Sequence, residues 1–192
     1  MQVIQYPHPT LRHKSKLLKR VDAGLREIVR EMFNLMYEHK GIGLAANQVD
    51  LPYRLFVLNL EGDAKPAEEH VFINPILSNR KGSAEAEEGC LSLPGLYGEV
   101  RRPEKIRVNA YNVAGEEITF DVDGLFARAV QHEIDHLDGV LFIDRLSTTG
   151  EAKARDAVRD FENEFANRRE RREIPDDATI AARLAELESL RC

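Results

Sequence analysis

The chain has 192 residues, 43% hydrophobic and 31% charged, with a formal net charge of -6. That length suffices for one core of ordinary size, and the composition excludes a disordered chain. The acidic balance gives no general electrostatic reason to bind DNA or RNA.

The start, Met1 to Pro7, lacks the basic region and apolar core of a signal peptide, and no apolar run approaches membrane-spanning length. The expectation is a cytoplasmic protein without a membrane partner. Two cysteines, Cys90 and Cys192, do not make a disulfide framework. Pro7 and Pro9 keep the first segment extended or turning, and His8 and His13 read as surface or packing residues.

Asp22 can cap a helix in which Leu25, Ile28, Val29, Met32, Phe33 and Met36 form one apolar stripe. That helix ends near Lys40 and Gly41. Next comes Gly41-Ile42-Gly43-Leu44-Ala45-Ala46-Asn47-Gln48. It lacks the third glycine of a dinucleotide loop and the Lys-Ser or Lys-Thr of a phosphate loop. A tight turn in the core would explain it; so would a close approach to a substrate, with Gln48 as a buried amide in need of partners.

Residues 54–60 and 71–77 read as strands, with Pro75 excluding an uninterrupted central ladder. Residues 61–69 read as a loop. Glu85, Glu87 and Glu88 form an acidic lead-in to Gly89-Cys90-Leu91-Ser92. Residues 105–111 and 117–122, joined by a turn at 112–115, give the strongest hairpin signal. A helix follows over about 125–137, closed by Gly139. Residues 151–173 read as a charged, solvent-exposed helix, broken by Pro175, Asp176 and Asp177; Ile180, Leu184 and Leu187 suggest a last short helix.

The helix at 125–137 contains Gln131-His132-Glu133-Ile134-Asp135-His136. Residues four apart share a helix face, so His132 and His136 can hold one metal, and Glu133 can reach a water there without ligating it. A pair of satisfied helix histidines is the plainer alternative. Two histidines leave a catalytic site one ligand short, and a distant carboxylate or thiolate could complete it. Cys90 is the only internal thiol and Gly89 clears its approach; a buried hydrophobic cysteine is the competing view. Such a site suits hydrolysis of a carbonyl. Glu133 would act as base then acid, and the Gln48 carboxamide and Leu91 backbone amide would serve the oxyanion.

The segments 41–48, 88–92 and 131–136, in this order, resemble the three signatures of bacterial peptide deformylases; the likeness covers about residues 1–147. It implies an α+β fold, antiparallel sheets around a central metal-binding helix, with residues 148–192 as a C-terminal helical extension. It implies Cys90, His132 and His136 as metal ligands, Glu133 as general base and acid, and Gln48 with Leu91 at the oxyanion. The implied reaction removes the formyl group from N-formylmethionyl peptides and nascent chains. The implied cofactor is one metal ion per chain, usually Fe(II), with Zn(II), Ni(II) or Co(II) also able to bind.

Ile42, Leu91 and Val130, with the helix face of His132, are expected to wall an apolar methionine pocket. Gly43 and Gly89 are expected to admit substrate backbone along a strand edge. Arg102 and Asp135 are a candidate ion pair behind the site. Arg101 departs from the family pattern, where proline is frequent before the arginine. Arg168, Arg169, Arg171 and Arg172 could reach rRNA phosphates in a transient ribosome contact, but neighbouring acids favour a solvated or packed helix. A monomer is the family-based expectation. A zinc endopeptidase and a structural metal protein are the competing readings.

Overall fold

The computed structural model describes residues 1–62 and 69–192. Residues 63–68, within the loop read over 61–69, lie outside the described residues. The order is α1 (Ala23–Glu38), β1 (Gly43–Ala45), β2 (Leu55–Leu58), β3 (His70–Lys81), β4 (Ala84–Cys90), β5 (Leu93–Arg102), β6 (Lys105–Tyr111), β7 (Glu117–Asp123), α2 (Gly124–Leu137), α3 (Thr148–Glu170) and α4 (Asp177–Arg191). Five strands form one sheet in the order β1-β2-β3-β6-β7, and β4 with β5 forms a separate ribbon. All pairings within both are antiparallel. The fold is α+β.

Strand β2 shows why the main sheet has a helix on each face. Leu55 and Val57 join a core with Leu25, Val29, Met32 and Met36 of α1. Phe56 and Leu58 point the other way, into a core with Ala127, Val130, Ile134 and Leu137 of α2. Successive strand side chains alternate between faces, so a strand covered on both sides is apolar throughout. Each large side chain so buried contributes about 1.5 to 3 kcal/mol relative to exposure. The two helices therefore hold β1 and β2 firmly between them.

Helix α1 begins where the Asp22 carboxylate accepts the Leu25 amide at 2.8 Å. It ends where the Gly41 amide donates to Met36 O at 2.8 Å after Lys40 turns left-handed. Strand β3 runs longer than its apolar stretch. Its register shifts between Ile73 and Ile76, and Asn74 adopts a positive φ of 54°. Asn74 brackets Leu18 through both side-chain atoms, at 2.9 Å and 2.8 Å. Pro75, expected to interrupt a central ladder, sits at that bulge.

The ribbon β4–β5 was not legible as strands. It packs through Leu93, Leu96 and Val100 with Leu141, Phe142, Leu146 and Ala154. The last two helices fold back onto the body. Helix α3 is mostly exposed, with Ala154 as its buried residue. Asp176, expected only to break a helix, caps α4 by accepting the Thr179 amide at 2.8 Å. Ile180 and Leu184 bury that helix, His13 meets Glu188 at 2.7 Å, and Arg191 meets Asp22 at 2.7 Å. No helix among the described residues is long and apolar enough to cross a membrane.

Candidate metal centre

Helix α2 sets His132 and His136 one turn apart, with ring centroids 4.9 Å from each other. Cys90 ends β4 and turns its sulfur toward them, 3.2 Å from His136 Nε2. The ligand atoms of Cys90, His132 and His136 all lie within 4.8 Å of one another. One thiolate and two imidazoles are a donor set that suits a divalent transition metal, and three protein ligands leave a position for substrate or water. The three residues fit the cation that the helix motif implies.

Glu133 leaves α2 on the neighbouring side and lies against Gly43 of β1. A Cβ on Gly43 would stand 2.9 Å from the Glu133 carboxyl carbon and closer still to Oε1. Glu133 is buried, and its Oε2 has no partner among the described residues. Burial pushes its carboxyl up to about 7, against the pull of His132 and Arg102. An unpaired buried acceptor beside the ligand cluster is where a water and a cation would be held.

The two imidazoles differ electrostatically. Burial pulls His132 down, but hydrogen bonds to Cys90 and Glu88 override it and push His132 up to about 10. Burial, with His132 adding to it, pulls His136 well below its ordinary value. His136 is thus a neutral ligand in waiting. His132 would have to give up a proton to hold a cation.

Gln48 belongs to a 3-10 turn, Ala46–Val49, that follows β1. The Ala45 amide donates to its Oε1 at 2.8 Å. Its Nε2 then faces Cys90 Sγ at 3.4 Å and Ser92 Oγ at 3.3 Å. Asn47 in the same turn donates to the backbone carbonyl of His136. The turn therefore holds both a candidate donor and the carbonyl of one ligand.

Behind the ligands runs a buried charge chain. Glu88 accepts from Arg102 Nε at 2.6 Å and Nη2 at 2.9 Å, and from Arg128 at 2.7 Å. It also faces His132 Nδ1 at 3.0 Å, which fixes the ring with Nε2 available to a metal. Arg102 reaches Asp135 at 2.6 Å, the pair expected from sequence, and Arg145 joins from the other side. Sequence reasoning gave Glu88 no role beyond an acidic lead-in, and gave Arg128 and Arg145 none. Two spacings pointed to the first two: Glu88 stands two residues before Cys90, and Arg128 stands one helical turn before His132.

A cleft of 560 Å³ opens over the centre, lined by Ile42, Gly43, Gln48, Gly89, Leu91 and Glu133 among others. Val130, expected in its wall, is completely buried in the core against the main sheet. The cleft is lined from α2 by Leu125, Arg128, Ala129 and His132 instead. A helical residue two positions before His132 points about 200° round the axis, away from the ligand face. Gly89 serves more than backbone approach: a Cβ there would strike the Tyr97 ring at 2.6 Å. Arg101, the departure from the family pattern, sits exposed in β5 beside Glu85 at 3.3 Å.

A helix bearing two candidate ligands and a buried carboxylate, with a third candidate ligand from a neighbouring ribbon, is the arrangement of a metal-dependent hydrolase. The family model for polypeptide deformylase matches residues 1–152. The peptide deformylase of Rhodopirellula baltica is 45% identical over 190 residues, covering 99% of this chain and 94% of that protein. That of Neisseria gonorrhoeae is 46% identical over 147 residues, covering 77% of this chain and 87% of its own. The crystal structure of Arabidopsis thaliana peptide deformylase 1B with an inhibitor superposes with a TM-score of 0.84 at 36% identity, covering 92% of this chain and 97% of that one. The chain belongs to the peptide deformylase family, metal-dependent hydrolases that take the formyl group from the N-terminal formylmethionine of new polypeptides and release formate.

Proposed function

We propose that Cys90, His132 and His136 hold one Fe(II) ion, and that Zn(II), Ni(II) or Co(II) can take its place on the same donors. When bound, the ion supplies Lewis-acid polarisation of the formyl carbonyl and acidifies a water. Glu133 takes the proton of the attacking water and delivers it to the leaving nitrogen. The Gln48 carboxamide and the Leu91 backbone amide donate to the oxygen that gains charge. Ile42, Gly43, Gly89 and Leu91 border the substrate, and the methionine side chain lies toward Leu125 and Ala129. Strand β1 lies at the edge of the main sheet, and the peptide adds along that edge. Residues beyond the first few then matter little. The observation that carries this reading is the unpartnered buried oxygen of Glu133 beside the three converging ligands.

Formate release from formyl-Met-Ala-Ser, measured beside internal cleavage of an unblocked peptide, tests it. Internal cleavage without formate would identify an endopeptidase instead. Anaerobic purification, with elemental analysis and turnover on the same sample, tests iron.

The catalytic unit comprises residues 1–147, and residues 148–192 form a helical extension. The enzyme works as a cytoplasmic monomer on nascent chains. Its contact with the ribosome is transient and weak, because Arg168, Arg169 and Arg171 already face Glu173, Asp177 and Glu164. Ribosome pelleting of the full chain against a truncation before Glu151 tests the contact, and equal pelleting sinks it.

A further inference from the structure

Helix α4 of the extension reaches the end of the turn that carries Gln48. Asp50 follows the Ala46–Val49 turn and holds a left-handed conformation, φ 66° and ψ 33°. A non-glycine residue there is held by its surroundings. The Thr10 hydroxyl donates to Asp50 Oδ1 at 2.5 Å. Arg183 of α4 pairs with Asp50 Oδ2 at 2.5 Å. The same guanidinium donates to the Asp50 backbone oxygen at 3.1 Å. The Asp50 amide closes the turn on Asn47 O at 3.3 Å. Arg183 thus grips both the side chain and the backbone of the residue that ends the turn carrying Asn47 and Gln48.

We propose that Arg183 is a positioning residue for the deformylation reaction, acting through Asp50 to fix the turn that aims Gln48. This rests on the reading of Gln48 as an oxyanion donor. Arg183 lies well beyond the residues matched by the family model. It touches neither the cleft nor the ligands. Its effect passes through Asp50 and Val49 to Gln48. Helix α4 keeps its place without it, through Ile180, Leu184, the His13–Glu188 contact and the Arg191–Asp22 pair. Removing the guanidinium therefore loosens the turn rather than the helix.

Turnover is measured on the full-length metal-loaded enzyme, and hydrogen exchange on the full-length metal-free protein. Arg183→Ala should lower kcat roughly threefold to tenfold, with KM on formyl-Met-Ala-Ser within about twofold, as expected for a misplaced donor. Arg183→Lys should recover part of the loss. Backbone hydrogen exchange in the metal-free protein should rise at residues 48–51 and not along α4. In a Gln48→Ala background the Arg183→Ala effect should vanish, because both changes act on one donor. Arg159→Ala on α3 should leave kcat unchanged. Wild-type kcat and exchange in Arg183→Ala, with Gln48→Ala impaired, overturns the clamp alone. Full turnover in Gln48→Ala overturns the reading of Gln48, and the clamp with it.

Discussion

Gly43 of β1 and Glu133 of α2 occupy one space: the carboxylate stands where a side chain on residue 43 would be. Sequence reasoning took Gly43 as room for the substrate; Gly43 does line the cleft, and the Glu133 carboxylate fills the space that its missing side chain leaves. Gly43→Ala should therefore displace Glu133 while leaving Cys90, His132 and His136 in place. We expect kcat to fall about 10- to 100-fold, the scale of a displaced catalytic group, with metal content unchanged by elemental analysis. Loss of metal along with activity would show that the crowding acts on the ligands instead.

Glu133→Ala removes the base outright. Metal should stay bound, and turnover should drop roughly 10²- to 10⁴-fold. Its buried carboxyl, raised to about 7 by burial in the protein alone, sits near the operating range of a general base. Single-turnover formate release at saturating substrate checks the size of the drop.

His132 carries its proton to about 10 in the protein alone, held by Cys90 and Glu88 against burial. A metal ligand must be neutral at the ligating nitrogen. Loading the metal-free protein near neutral pH should release about one proton from His132, and apparent affinity should rise with pH below that value. Calorimetry in buffers of different ionisation enthalpy reads the proton count. A count of zero would contradict the His132–Glu88–Cys90 arrangement.

Arg102 is buried against Glu88 and Asp135. Arg102→Met strips both carboxylates of that partner inside the protein. Breaking a buried pair in this way costs about 3 to 5 kcal/mol, or roughly 10 °C in Tm for a chain of this size. A thermal melt of the metal-loaded variant measures it.

Asp22 caps α1 and meets Arg191 of α4; the arginine, then the Leu25 amide, holds its carboxyl at about 2. The folded value is depressed, so the contact is fully present above the ordinary carboxylate range and is lost as pH falls through about 2. Arg191→Ala should raise the Asp22 titration midpoint, read by side-chain NMR. An unmoved midpoint would mean the helix cap alone sets it.

Much of this arrangement could be read before the fold was known, and the reasons are physical. Helices α1 and α2 announced themselves because each buries one stripe, and the β6–β7 hairpin because one face alternates. The ribbon that carries Cys90 did not. Its Glu85 and Glu87 are exposed, and Pro94, Gly95 and Gly98 break any apolar alternation in its partner, because a two-stranded ribbon needs no continuous apolar face. Glu88 was read only as part of an acidic lead-in: apart from its spacing to Cys90, an acid among acids does not announce that two arginines and an imidazole will converge on it. Val130 was misplaced because a two-residue step along a helix changes its face.

The ligands come from two separately built parts, a ribbon and a helix, and Cys90 and His136 lie 46 positions apart in the chain. A cation bound between them works as a reversible cross-link. It closes a long loop and removes freedom from the unfolded chain, much as a disulfide does. A cation held by Cys90, His132 and His136 would therefore brace the fold as well as serve the reaction. Chelation should loosen the ribbon's hold on α2 before the main sheet opens, so loss of activity and partial unfolding become two readings of one event.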